Sequence, residues 1–71
     1  MMPLPIAGQG RELNVRKVSG SPEIRAHLEN LGFVPESLVR IISTINGNLI
    51  VDVKGARIAI SREMAMKIQV E

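Results

Sequence analysis

No cysteine, tryptophan or tyrosine occurs in the 71 residues, and phenylalanine and histidine occur once each, as Phe33 and His27. Each scarcity closes a class of explanation. Without cysteine there is no disulfide framework and no thiolate to act as nucleophile or ligand, and the composition fits a reducing, cytoplasmic setting. With one histidine and neither Cys nor Tyr, the acid–base and nucleophilic groups of most active sites are missing, so the chain reads as a non-enzyme. Serines 19, 21, 37, 43 and 61 are accounted for as caps, turn residues or strand fillers. No G-x-x-x-x-G-K-[ST] or strand-following G-x-G-x-x-G is present, so no phosphate loop forms. A single aromatic cannot build the stacking platform of a single-strand nucleic-acid binder or the lined channel of a PxxP groove. No apolar run approaches the ~20 residues that span a bilayer. The opening Met1-Met2-Pro3-Leu4-Pro5-Ile6-Ala7 has no basic flank and carries two prolines, unlike a signal peptide.

What is present is aliphatic. Hydrophobic residues make up 45% of the chain, enough for one core in one domain spanning 1–71 and too many for a disordered segment. The first ten residues, rich in Pro and Gly, read as an irregular lead-in whose Leu4 and Ile6 tuck against the core. From Arg11 to Ser19, Leu13 and Val15 alternate with polar residues until Val18 breaks the phase, which predicts a strand with a bulge near Lys17.

Ser21-Pro22-Glu23 is a helix start, combining a capping hydroxyl, a proline suited to the first turn and an acid at the positive dipole end. The helix runs from Pro22 to Leu31, with Ile24, Leu28 and Leu31 on one face and Arg25, His27 and Glu29 toward solvent. Gly32 supplies a left-handed stop. Pro35-Glu36 centres a turn, for which type I suits Glu. Leu38–Ile45 follows as a strand with Val39, Ile41 and Ser43 inward. Asn46-Gly47 fits a type I′ turn into Leu49, Val51 and Val53. Lys54-Gly55-Ala56 turns the chain into Ile58 and Ile60, Ser61 caps one turn over residues 62–65, and Ile68 and Val70 mark a last strand. About five short strands with one inserted helix are best accommodated in a small closed or half-closed barrel, which leaves few edges exposed.

Charge decides little. Nine basic against seven acidic residues give a net +2, and the cations are interspersed with acids as on solvated strand faces, so no nucleic-acid partner is expected. Glu23 and His27 stand four apart on one helix face but supply two ligands where zinc takes three or four, so no metal or cofactor site is assigned. Met64 and Met66 read as gap-filling core.

Leu28-x-x-Leu31-Gly32-Phe33-Val34-Pro35, followed by Val39-Arg40-Ile41, resembles the helix-to-strand signature of the FeoA family. Val51-x-Val53-x-Gly55-x-Arg57-Ile58-Ala59-Ile60 and then Ala65-x-x-Ile68-x-Val70 are similar to its later strands, and Glu36 stands where the family often has Gly. The resemblance implies an SH3-like barrel with a short helix after its first strand and a helical turn before its last. It also implies an accessory role in ferrous iron uptake beside FeoB, a membrane transporter with a cytoplasmic GTP-binding domain, the partner surface being that domain or the adjoining membrane part. It carries no catalytic or cofactor residue, no membrane insertion and no fixed oligomeric state. The same module resembles the C-terminal domain of iron-dependent repressors, which leaves a metal-responsive or nucleic-acid-contacting regulator as the alternative. A docking surface is expected near Arg25, Glu29, Phe33 and Val34, where Phe33 either anchors a partner or plugs the barrel end.

Overall fold

The computed structural model describes residues 1–71. Its strands are β1 (Met2–Pro3), β2 (Leu13–Val18), β3 (Leu38–Ile45), β4 (Asn48–Val53), β5 (Ala56–Ser61) and β6 (Ile68–Val70). Two helices, α1 (Pro22–Leu31) and α2 (Arg62–Ala65), and a 3-10 turn over Leu4–Ile6 complete it. All pairings are antiparallel and the sheet order is β1-β6-β2-β3-β4-β5. The two outer strands do not pair with each other, so the barrel is half-closed. Helix α2 packs against β5, β4 and the 3-10 turn.

Alternation places the core. Leu13, Val15, Val39, Ile41, Leu49, Val51, Val53, Ile60, Ile68 and Val70 face inward and join Leu4, Leu28, Phe33 and Ala65 in one buried cluster. Both hairpins close on two-residue loops whose central residues have positive φ: Asn46 at 49° and Gly47 at 79°, then Lys54 at 49° and Gly55 at 78°. These are type I′ turns, whose twist matches that of the flanking strands.

Four details of the strands and their connecting segments differ from the sequence-based expectation. The lead-in is not irregular throughout: Met2 and Pro3 pair with Val70 and Gln69, so the sheet has six strands. Its two apolar residues part company, because the 3-10 turn points Leu4 into the core and leaves Ile6 59% exposed. On β3 the register shifts between Ile41 and Ser43, so Ser43 lies across from Ile50, out of phase with the inward Val51, and is only half-buried.

The fourth concerns the loop after α1. Glu36 has φ 75°, and the Ser37 amide donates to the Val34 carbonyl at 3.0 Å, which makes Val34–Ser37 a type II turn and not type I. Tertiary bonds impose the shape: the Glu36 amide donates to the Val15 carbonyl and the Val15 amide to the Ser37 carbonyl, both at 2.9 Å. The loop is thereby fastened to β2, and Glu occupies a conformation that favours glycine.

Candidate functional site

The region expected to dock a partner is built on the end of α1. Ser21 caps its start, its Oγ accepting from the Ile24 amide at 3.2 Å. At its end the Phe33 amide donates to Leu28 and the Gly32 amide to Glu29, each at 3.0 Å, with Gly32 at φ 113°. This is the Schellman arrangement, in which the apolar residue after the glycine packs against the residue five positions earlier. Phe33 and Leu28 are accordingly both fully buried. Phe33 is thus part of the core cluster, with no exposed ring to offer a partner in this structure.

Arg25 and Glu29 stand exposed on the outer side of α1 and Val34 is half-buried. No ion pair joins Arg25 to Glu29, so both heads are free. A methyl group placed on Gly32 would lie 3.4 Å from a Val53 methyl and 3.6 Å from the Lys54 Cδ, which brings the helix end against the β4–β5 turn. Lys54 continues from there into an open groove of about 530 Å³ on the outer face of the sheet, with Glu12, Glu36, Leu38, Arg40 and Asp52 among its lining residues.

The groove's electrostatics are largely self-contained. Glu36 accepts from Arg16 at 2.8 Å, Asp52 from Arg57 at 3.0 Å, and Glu12 lies 3.7 Å from Arg40. The bulge in β2 falls at Arg16, whose Nε also reaches Glu71 at 2.9 Å. Asp52 raises the pKa of Arg57, by its hydrogen bond first and its charge second. Exposed pairs of this kind contribute little to stability, but they occupy the acids. Lys54 has no acidic partner.

Leu38, which lines the groove, was not singled out by the sequence. It is 51% exposed in the groove, although it opens a strand whose Val39 and Ile41 are buried. Its position follows from phase: Leu38 is out of step with the inward Val39 and Ile41, so alternation turns it outward.

Elsewhere, Glu23 and His27 are exposed on α1, and no group of three or more His, Cys, Asp or Glu is placed to hold a metal ion. Met66 is 41% exposed, whereas Met64 packs against the core. No helix is long and apolar enough to cross a membrane.

The FeoA domain model matches residues 2–71. The chain belongs to the FeoA family. A relative from Methanocaldococcus jannaschii, described as "Putative Fe(2+) transport protein A", is 38% identical over all 71 residues and 87% of its own length. A crystal structure of an iron uptake regulatory protein, FeoA, superposes with a TM-score of 0.90 at 27% identity, over 99% of this chain and 93% of that one. The zinc-complexed FeoA of Stenotrophomonas maltophilia, described as a procaryotic SH3 domain protein, matches with a TM-score of 0.70 at 25% identity over 84% of this chain and 79% of that one. It is suggested there as a bacterial ferrous iron transport activating factor. This FeoA domain thus has the SH3-like barrel that the family resemblance implied.

Proposed function

We propose that this FeoA-family protein is a non-catalytic accessory of ferrous iron uptake that docks on the cytosolic part of FeoB and modulates it. Family membership over residues 2–71 carries the reading, and the name of the archaeal relative and the activating role suggested for the S. maltophilia protein support it. The docking surface is the corner where α1 ends, Arg25, Glu29 and Val34, continued through Lys54 into the groove that holds Leu38. Phe33 supports that corner from within, as the buried residue that fixes the direction in which the chain leaves the helix.

Two properties favour this corner. Leu38 offers exposed apolar surface in a concavity, and Lys54 offers a cation that no internal acid neutralises. Together they suit a segment presenting an aliphatic side chain next to a carboxylate. The alternative, a metal-responsive or nucleic-acid-contacting regulator, finds no third ligand beside Glu23 and His27, and Arg16, Arg40 and Arg57 are engaged with acids.

The test is substitution with a folding control. Leu38→Lys and Lys54→Glu leave the buried core untouched and are expected to weaken binding to the soluble GTP-binding domain of FeoB about tenfold or more, the scale of an interface hot spot. Wild-type affinity in both variants, measured by calorimetry, would rule out this surface.

A further inference from the structure

The two edges of the sheet are unequal. β1 is two residues long and contains Pro3, which has no N–H to offer, so that edge is blunted. β5 is six residues long, has no proline and no bulge, and pairs with β4 through Ser61. Because Val53 and Ala56 close a two-residue turn, they exchange hydrogen bonds, as do Val51 with Ile58 and Leu49 with Ile60. Arg57 and Ala59 therefore direct their N–H and C=O groups away from the sheet, and neither makes a backbone hydrogen bond outside the strand ladders.

A charged side chain is the usual protection of such an edge. Here the one charge on β5, Arg57, is drawn back over β4 by Asp52, to whose Oδ1 its Nε donates at 3.0 Å. Beside it, Ile58 lies opposite the fully buried Val51, yet it is only half-buried because no strand lies beyond it.

We propose that β5 pairs antiparallel with β5 of a second copy of this chain, joining two barrels through one continuous sheet about a two-fold axis at Ile58. In this register Arg57 faces the partner's Ala59 and Ala59 the partner's Arg57. Each of these pairs exchanges two hydrogen bonds, and the two Ile58 side chains cover each other. Self-complementarity selects it. Centring on Arg57 would set like charges directly opposite, which destabilises a ladder. Centring on Ala59 would set Arg57 against Ser61, the residue that caps α2 and leads the chain out of the sheet. The blunted β1 edge cannot accept β5 of a further copy, so association closes at the dimer and does not run on as a filament.

Amide hydrogen exchange by NMR across a concentration series of the full chain, with sedimentation velocity alongside, tests this pairing without any substitution. The expected result is a dimer that grows with concentration, and Arg57 and Ala59 amides that become protected in parallel with it. Ala59→Pro removes an N–H that serves no bond within the monomer, and Ala59→Lys sets a second cation at the edge; each is expected to weaken the dimer at least tenfold with an unchanged far-UV spectrum. A chain that stays monomeric at millimolar concentration with rapidly exchanging Arg57 and Ala59 amides overturns the proposal, whether or not a strand from another protein uses the edge. A dimer that forms without protecting these two amides, or that both folded variants retain, overturns it equally.

Discussion

Replacing Phe33 with alanine would remove the largest fully buried side chain of the molecule. Phe→Ala changes in a core cost ~3 to 5 kcal/mol, and a core of this size supplies ~3 to 5 in total. Phe33→Ala is therefore expected to be unfolded at room temperature by circular dichroism, while Phe33→Leu keeps the fold at a lower urea midpoint. A folded Phe33→Ala chain would contradict the plug role. Glu36 makes the opposite prediction. It holds φ 75°, so Glu36→Gly relieves a left-handed conformation at the loss of one exposed ion pair to Arg16. The expected net effect is a gain of up to ~1 kcal/mol in urea unfolding, whereas a β-branched replacement at the same position destabilises. Both residues show the limits of reading single positions from sequence. The burial of Phe33 was encoded in Leu28 and Gly32, because an apolar residue after the glycine of a Schellman end packs back onto the helix. The positive φ of Glu36 was not encoded locally, because hydrogen bonds from a distant strand impose it.

At the scale of elements, the best-read segments are those whose signal is contained within them. The Asn46-Gly47 hairpin and the α1 helix carry their own turn, cap and periodicity, and they lie where those signals put them. β1 carries none of these: two residues with a proline have no period, and the pairing exists only because β6 passes alongside. The lead-in therefore yields a paired prediction. Leu4→Ala should cost ~2 to 5 kcal/mol because Leu4 is fully buried, while Ile6→Ala, at 59% exposure, should stay within ~0.5, both measured by urea denaturation. Equal effects would mean that the 3-10 turn does not orient the two as described. For α1, whose only fully buried helical side chain is Leu28, the cap matters more than usual. Ser21→Ala is expected to cost ~1 kcal/mol and to speed amide exchange within residues 22–31 more than in β3 or β4.

The whole molecule is a half-closed barrel with a helix-capped corner, and the surface proposed for docking was only partly legible in the sequence. Arg25, Glu29 and Val34 could be named because the helix end could be placed. The groove could not, since it depends on how β3 and β4 present Leu38 and Lys54 beside a turn from another part of the chain. The proposed docking of this FeoA domain on the cytosolic part of FeoB runs through that corner and groove. Titration of the isotopically labelled protein with the soluble FeoB GTP-binding domain, followed by amide chemical shifts, tests it most directly. Saturable shifts concentrated at Arg25, Glu29, Val34, Leu38 and Lys54 are expected. Absence of shifts at high partner concentration, or shifts confined to other faces of the barrel, would contradict it.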